Sequence, residues 1–172
     1  KFKYPDILTI IVPRHSTRGE EILRSIQFLK GSNVLRSNHG IINSNTDIYI
    51  ADTMGELGLF FRLSKIVFIG KSLVPLGGQN PLEALRLGCA IIHGPHMMNF
   101  QWITDQMINS GLSIQIQNAD ELETTISNLL SDPKKIEKMI SKGRNFLDSQ
   151  THVIDLIVKE IKILMDISNE RT

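Results

Sequence analysis

The chain has 172 residues, of which 41% are hydrophobic and 22% are charged, as in an ordinary globular domain with a core of its own. Lysine and arginine number 19 against 18 acidic residues, and this balance gives no reason to expect nucleic acid as a partner. No apolar run is long enough to span a bilayer, and the single cysteine, Cys89, excludes an internal disulfide and a thiolate metal cluster.

Short apolar runs rich in β-branched residues alternate along the chain with amphipathic segments, a pattern typical of βαβ units around a parallel sheet. The predicted strands are residues 7–12, 33–36, 47–51, 65–70, 90–93 and 112–116. The predicted helices are residues 18–30, 55–64, 81–87, 99–110, 119–131, 133–148 and 151–167. We therefore expect an α/β fold with a Rossmann-like parallel sheet and helices on both faces.

Local signals mark two of the helix starts and the amino terminus. Thr17 with Glu20 predicts a capping box, and Asn80 predicts a cap with Pro81 at the first helical position. The first residues, "KFKYPDILTIIV", contain no initiator methionine and no signal peptide before a predicted strand. This beginning favours a piece of a longer protein.

Polar residues follow the predicted strands, where open α/β sheets bind their ligands. The loops after the first, third, fourth and fifth strands read "VPRHSTRGEE", "ADTMGELG", "GKSLVPLGGQNPLE" and "HGPHMMNF". Arginine, histidine, glutamate, asparagine and paired glycines are therefore expected at one edge of the sheet. A ligand site is predicted there.

The first two of these loops allow two interpretations each. Arg14 could donate two parallel hydrogen bonds to a phosphate, or it could lie on the surface and bind strand carbonyls. His15 is more typical of an exposed polar residue than of a catalytic one. Glu56, beside Gly55 at a helix start, could contact a ligand or only complement the helix dipole.

The loop with Gly77 and Gly78 resembles a phosphate cradle that leads into a helix, although it could also be a tight turn. It is neither a Walker loop nor the GxGxxG fingerprint, because the required residues and their position differ. Asn80 and Glu83 form a second capping-box pattern, and Glu83 could also accept hydrogen bonds from a ribose diol.

The last loop, "GPHMMNF", is expected to contribute packing and no metal chemistry. Met97, Met98 and Phe100 are interpreted as packing residues, because adjacent methionines commonly fill gaps in a core. No DxD pair occurs in the sequence, and its histidines lack partners at ligand spacing. We expect no metal site.

Taken in order, "VPRH", "DTMGELG", "GKSLVPLGGQNPLEALRLG" and "GPHMMNF" resemble the carboxy-terminal domain of the 3-deoxy-D-manno-octulosonic acid (Kdo) transferases. These are glycosyltransferases of lipopolysaccharide biosynthesis with the GT-B architecture. The resemblance covers residues 7–100, and beyond them only the pattern of helices and strands agrees. It implies a CMP-Kdo binding domain at residues 1–150 and a helix at residues 151–172 that packs toward an amino-terminal domain.

The resemblance also implies which residues bind the donor. Pro13 and Arg14 would contact the CMP phosphate and its surroundings, and residues 54–56 would line the cytidine pocket. Residues 80–83 would hold phosphate and ribose, and the glycine pair would let the backbone approach the donor. The implied donor-binding residues are Pro13, Arg14, Met54, Gly55, Glu56, Asn80, Pro81, Leu82 and Glu83, with Ser72, Gly77, Gly78 and Gln79 as further members of the donor loop.

Two positions depart from the family pattern. Lys71 stands where the family usually has glycine, and it could add positive charge beside the phosphate or point into water. Gln79 stands where the family commonly has histidine; it keeps hydrogen-bonding capacity but cannot donate a proton in catalysis.

For the whole enzyme, the resemblance implies metal-independent transfer of Kdo to a lipid A precursor, without a cofactor. The family's general base is a glutamate of the amino-terminal domain, so we expect no catalytic residue in this chain and no activity of the isolated domain. The amino-terminal half would also supply acceptor contacts and membrane association. The full-length protein would then lie on the cytoplasmic face of the bacterial inner membrane, and this fragment would be soluble.

Two other functions are compatible with the residues. One is a GT-B transferase or epimerase domain that uses a uridine nucleotide sugar. The other is a non-catalytic α/β binding module whose rim residues are only helix caps. Preference for cytidine or uridine nucleotides, or for neither, distinguishes the three.

Overall fold

A computed structural model describes residues 4–29 and 31–169 of the chain. The chain divides into two compact units, Lys1–Phe60 and Phe61–Thr172, and each is described by itself. In the described residues no helix is both long enough and apolar enough to cross a membrane.

The first unit is built on a parallel sheet of three strands, β1 (Thr9–Ile11), β2 (Ser32–Leu35) and β3 (Thr46–Ile50), which lie in the order β1-β3-β2. Tyr49 and Ala51, at the end of β3, are buried with Phe60, and half-buried Leu8, Ile10 and Val34 pack against them. This small core fixes the carboxyl end of the sheet. Two helices accompany the strands of the first unit. They are α1 (Gly19–Ser25) and α2 (Leu57–Leu63), and α2 spans the division between the units.

The second unit contains a second three-stranded parallel sheet, in which the central strand is completely buried. A run of four apolar or buried residues without polar alternation is typical of a parallel strand covered on both faces. The elements are β4 (Ile66–Phe68), α3 (Leu82–Arg86), β5 (Ala90–His93), α4 (Gln101–Asn109), β6 (Ser113–Gln115), α5 (Ala119–Ser131) and α6 (Pro133–Asn169).

Alternate residues of β5 enter different cores, because successive strand side chains point to opposite faces. Ile91 packs in a cluster with α3 and α4, which contribute Leu85 and Met107. Ile92 packs in a cluster with α5 and α6, which contribute Leu129 and Ile136. The prediction of an α/β fold with parallel strands is confirmed, and this unit carries helices on both faces of its sheet. The strands belong to two sheets, however, and not to one.

The first helix differs from its prediction at both ends. A 3₁₀ turn at Ser16–Arg18 precedes α1, which begins at Gly19, and Thr17 makes no capping-box bond to it. The helix ends at Ser25, where the Ile26 amide bonds to the carbonyls of both Ile22 and Leu23. The predicted capping box at Thr17 and Glu20 is therefore wrong, and so is the extension to residue 30.

The two helices predicted at the end of the chain are one continuous helix, α6. The residues between them, Ser149 and Gln150, are neither proline nor glycine, so nothing there interrupts the backbone hydrogen bonds. The side chains of residues 150–157, 160 and 163–169 and the last residues, 170–172, lie outside the described part. The separate role predicted for residues 151–172 stays a prediction.

Candidate functional site

Arg36, the first residue after β2, joins the ends of β2 and β3 in the first unit. Its Nε and Nη2 atoms donate to the two carboxylate oxygens of Glu56, and Nη1 donates to the Tyr49 hydroxyl at 2.7 Å. The Thr53 hydroxyl donates to the same carboxylate. Two parallel hydrogen bonds to one carboxylate fix its orientation, and the guanidinium that donates them stabilises its negative charge.

The ion pair shifts the pKa of both Glu56 and Arg36. The pKa of Glu56 lies below its ordinary value, first because Arg36 donates to the carboxylate and then because Thr53 does. The pKa of Arg36 is raised, mainly by the same bonds to Glu56. Glu56 is therefore an ionised, already paired carboxylate, and neither a base nor merely a dipole partner at a helix start.

The loop that follows β3, residues 52–56, is bound at its Glu56 end by Arg36 and at its Asp52 end by Ser37. The Ser37 backbone amide and hydroxyl both donate to the Asp52 carboxylate, at 2.9 and 2.6 Å. Gly19 also approaches Asp52 closely: a Cβ at Gly19 would lie 2.3 Å from a carboxylate oxygen. Asp52 is buried, so these contacts fix the point at which the chain leaves β3.

Beside the paired carboxylates lies an open groove with a volume of about 440 Å³. Its walls combine a guanidinium, two carboxylate-bound hydroxyls and an aromatic ring, so the groove is polar with one apolar side. The lining residues are Arg36, Ser37, His39, Gly40, Tyr49, Thr53 and Glu56.

The remaining candidate residues of the first unit lie at its surface. The Arg14 side chain is exposed, and the neighbouring Pro13 is half-buried. Met54 is 73% exposed. Gly55 adopts a φ of 84°, and a Cβ built there would meet nothing within 4 Å. The space around residues 54–55 is therefore free for a ligand.

Ser72 ties together the loops that follow β4 and β5 in the second unit. Its side chain is fully buried; the hydroxyl donates to the Ile69 carbonyl at 2.6 Å and accepts from the Gly94 amide at 2.7 Å. The His96 amide donates to the Ser72 carbonyl at 2.9 Å. The hydroxyl is thus committed to the protein's own backbone.

Gly77 and Gly78 allow the loop after β4 to pack closely against the loop after β5. Both adopt positive φ, 84° and 67°, which disfavours any other residue. A Cβ at Gly78 would lie 2.2 Å from the Met97 sulfur, and one at Gly77 would lie 2.7 Å from the Asn99 amide nitrogen. The backbone therefore approaches a neighbouring loop here, which accounts for the glycine pair without any ligand.

The Asn80 side-chain oxygen accepts a hydrogen bond from the Leu82 amide at 2.9 Å, as expected of a capping residue. The helix itself begins at Leu82 with Pro81 at the N-cap position, so the prediction that Pro81 is the first helical residue is wrong by one position. Pro81 is fully buried, whereas Asn80 and Glu83 are exposed and Gln79 is half-buried. Glu83 returns no hydrogen bond to Asn80 in the described structure, so the predicted capping box is only half present. Because α3 has five residues, its dipole is small, and any anion would depend on individual donors.

The loop after β5 differs from its prediction at one methionine. Met97 is buried and Phe100 packs at the edge of the core, but Met98 is 66% exposed. The 3₁₀ turn at Met98–Phe100 turns this side chain away from the core. The interpretation of Met98 as a packing residue is therefore wrong.

His93, at the end of β5, is buried beside this loop. One ring nitrogen lies 2.8 Å from the Gly94 carbonyl oxygen and the other lies 3.2 Å from the Ser113 hydroxyl. Burial lowers its pKa, which favours the neutral ring. The described residues contain no group of three or more histidine, cysteine, aspartate or glutamate side chains able to hold a metal ion.

Comparison with proteins of known structure relates this geometry to a family. No protein-family model matches the chain. The crystal structure of the C-terminal CMP-Kdo binding domain of WaaA from Acinetobacter baumannii superposes with a TM-score of 0.81 and 33% sequence identity. The match covers 85% of this chain and 76% of that one. The chain belongs to the Kdo transferase family.

Curated members of the Kdo transferase family show the same relationship in sequence. The 3-deoxy-D-manno-octulosonic acid transferase of Haemophilus influenzae is 34% identical over 146 residues, which are 84% of this chain and 34% of the relative. A probable mitochondrial 3-deoxy-D-manno-octulosonic acid transferase of Arabidopsis thaliana is 37% identical over 155 residues, 88% and 35% of the two chains. The chain thus spans about a third of the length of these relatives.

The residues that the family resemblance implied for donor binding fall in both units. Pro13, Arg14 and residues 54–56 belong to the first, and residues 72 and 77–83 belong to the second. The prediction from sequence does not include Arg36 and Ser37. Ser37 directly follows the second predicted strand, residues 33–36, whereas Arg36 is the last residue of that strand, and nothing in the sequence indicates that it pairs with Glu56.

Proposed function

We propose that this chain binds CMP-Kdo as the donor for transfer of Kdo to a lipid A precursor. The observation that carries the proposal is the likeness to the CMP-Kdo binding domain of WaaA, at a TM-score of 0.81 and 33% identity. Because a third of the aligned residues are identical and most of both chains is covered, a shared ligand is a stronger inference here than one from fold alone. The proposal applies to the donor-binding step; the reaction requires the rest of the enzyme.

Accessible residues of the first unit support this function. Arg14 is exposed and offers a planar fork of donors that suits a phosphate. Met54 and Gly55 present an apolar side chain and an open backbone, which suit the face and edge of a base. We assign Pro13 and Arg14 to the phosphate and residues 54–56 to the cytidine.

In the second unit, Asn80 and Glu83 are exposed near the start of α3. A carboxylate such as that of Glu83 accepts two hydrogen bonds, which matches the vicinal hydroxyls of a ribose. We assign residues 80–83 to phosphate and ribose. The loop formed by Ser72, Gly77, Gly78 and Gln79 holds this segment in place through the contacts described above.

The chemistry of the complete enzyme follows from the same proposal. We place the general base in the amino-terminal part of the enzyme, and no catalytic residue in this chain. The isolated domain is then inactive in transfer, and transfer by the whole enzyme needs no metal ion. Acceptor binding and attachment to the cytoplasmic face of the inner membrane also belong to the amino-terminal part.

Calorimetric titration of the purified domain with CMP and with UMP tests the proposal. CMP should bind and UMP should bind more weakly, because cytosine has an acceptor at N3 and an amino donor at C4, whereas uracil has an N–H donor and a carbonyl acceptor at these positions. Transfer assays with the full-length enzyme in the presence of a chelator test the metal-independent reaction.

Two results would contradict the proposal. Preferential binding of UMP would indicate a transferase or epimerase with a uridine nucleotide sugar. Absence of binding to every nucleotide, by a domain shown to be folded from its melting curve, would indicate a non-catalytic binding module.

A further inference from the structure

We propose that Arg36 and Ser37 are positioning residues that hold the loop of residues 52–56, here called the clamped loop, in the shape that receives the donor. Within the segment assigned to the cytidine, residues 54–56, Glu56 then serves as the loop's anchor, and the direct contacts come from Met54 and the backbone of residues 54–55. This inference rests on the proposed function and adds to it residues that the family resemblance did not supply.

The clamped loop is held at both ends by two consecutive residues. Ser37 binds Asp52 through two hydrogen bonds, at 2.9 and 2.6 Å, and Arg36 binds Glu56 through two more. Between these ends the chain is free: Met54 is 73% exposed, and the space around the α-carbon of Gly55 is empty to 4 Å. Fixed ends and an open centre are the arrangement of a preorganised contact loop.

The sheet itself supports the clamp. In the parallel register Leu35 pairs with Ile50, and the Arg36 amide donates to the Ile50 carbonyl at 2.9 Å. The Tyr49 hydroxyl accepts a third bond from the guanidinium. Arg36 is thus bound to β3 through both its backbone amide and its guanidinium. Because the same guanidinium binds Glu56, the position of residues 52–56 depends on the geometry of the sheet.

The bonds to Glu56 leave little capacity for a ligand. One carboxylate oxygen accepts from Arg36 Nε and from the Thr53 hydroxyl, and the other accepts from Arg36 Nη2. Three of about four lone-pair positions are therefore occupied. A ligand donor directed at this carboxylate would compete with a bidentate ion pair, whereas the backbone at residues 54–55 is accessible without such competition.

The test is a double-mutant cycle in CMP binding, measured by calorimetry on the isolated domain. The variants are Arg36→Met, Glu56→Gln and the two combined, with Arg36→Lys as a milder change. Arg18→Met is the matched control, because Arg18 forms an exposed ion pair with Glu21 in the same unit. Melting curves establish that each variant is folded at the titration temperature.

If Arg36 acts through Glu56, Arg36→Met weakens CMP binding by about tenfold or more, the range for losing charged hydrogen bonds. The combined variant is then no weaker than the more affected single variant, because both changes break the same contact. Arg36→Lys restores part of the affinity, since it keeps the charge without the fork. Arg18→Met leaves the affinity unchanged.

Amide hydrogen exchange gives a readout that does not involve CMP. Arg36→Met should accelerate exchange at residues 53–56 while exchange within β1 stays as in the wild type. Unchanged exchange in the clamped loop, or CMP affinity equal to wild type in folded Arg36→Met, would overturn the inference while the proposed function stands. Failure of the wild-type domain to bind CMP would instead overturn the proposed function, and the donor-positioning role with it.

Discussion

Arg14 is the residue of the first unit whose role can be tested most directly, because it is exposed in the loop that follows β1. If its guanidinium binds the donor phosphate, Arg14→Ala should weaken CMP binding by about 1.5–3 kcal/mol, as for other hydrogen bonds to charged groups. Calorimetry measures the loss, and the melting temperature of the free domain should not change.

The control for Arg14 is Arg24→Ala, which removes an equal charge from an exposed position on α1. Arg14→Lys should recover only part of the lost affinity, since an ammonium cannot form two parallel bonds. CMP affinity that is the same in wild type and Arg14→Ala would remove Arg14 from the donor site.

His93 should make the stability of the domain depend on pH. Its pKa is lowered from 6.5 in the folded chain, first by burial, so protonation favours the unfolded chain. The stability that neutral His93 contributes is therefore present above its unfolded pKa and is lost as pH falls below about 6.5. The melting temperature should fall between about pH 7.5 and about pH 5.5, and His93→Gln should flatten that decrease.

Replacing an exposed histidine tests the specificity of this effect. His15→Gln changes a side chain outside the core and should keep the wild-type pH dependence. A His93→Gln variant whose melting temperature falls as steeply as that of the wild type would show that other groups control the acid sensitivity.

Lys71 has a φ of 63°, in the left-handed region that favours glycine. A non-glycine residue costs about 1–2 kcal/mol there, and glycine returns about 0.4–1 kcal/mol of that through greater freedom of the unfolded chain. Lys71→Gly should therefore stabilise the domain by up to about 1 kcal/mol in urea unfolding. Lys71→Ala keeps the strain and should give no such gain; equal effects of the two changes would contradict the explanation.

At the scale of elements, two residues near the start of α3 are expected to have different roles: Asn80 acts as a helix cap and Glu83 as a ligand contact. Asn80 accepts the Leu82 amide, whereas Glu83 is exposed and makes no such bond in the described structure. Asn80→Ala should lower stability by about 1 kcal/mol, measured by thermal unfolding without ligand. Glu83→Gln should leave the melting temperature unchanged and weaken binding of CMP more than binding of its 2′,3′-dideoxy analogue. Equal losses for both nucleotides would exclude the ribose contact.

The strands were predictable from sequence because their signal is local. β5 was predicted to the residue, since four consecutive buried residues between a helix and a Gly-Pro turn leave little choice. Helix ends were less predictable: α1 ends early through bonds from Ile26, and α6 continues through a polar stretch that contains no breaker. The end of α1 is thus set by backbone hydrogen bonds, and the continuity of α6 reflects the absence of a helix-breaking residue.

The candidate site was predictable where its residues follow strands and unpredictable where it depends on pairing. Arg14, Glu56 and Asn80 lie in the loops that the pattern selected. The partner of Glu56 is twenty positions earlier, and the two meet because β2 and β3 lie side by side in a particular register. A single sequence does not contain that register, so neither Arg36 nor the paired state of Glu56 could be inferred from it.

At the scale of the whole molecule, α6 has a portion that belongs to the core and a portion that extends beyond it. Ile136 and Met139 are buried, Gly143 lies against Leu85, and Phe146 packs at the edge of the core. Farther along, Val158 and Ile161 are 44% and 50% exposed. Deleting residues 155–172 should therefore leave the melting temperature and CMP affinity of the domain nearly unchanged, while it should abolish most transfer by the full-length enzyme.

A longer deletion provides the comparison. Removing residues 143–172 takes away the contacts with Leu85 and with the core at Phe146, and the domain should then unfold at a much lower temperature. If the shorter deletion already prevents folding, the end of α6 belongs to this domain's own core, and packing toward an amino-terminal domain is excluded.

The close approach of Gly78 to Met97 has a consequence for how the family changes over evolutionary time. Any side chain larger than hydrogen at position 78 must displace the Met97 sulfur, while the positive φ already penalises such a replacement. A smaller residue at position 97 would relieve the contact with the sulfur, so a replacement of this glycine is better tolerated when residue 97 changes as well. Positions 78 and 97 should therefore be inherited as a pair, and an alignment of many relatives should show them substituted together.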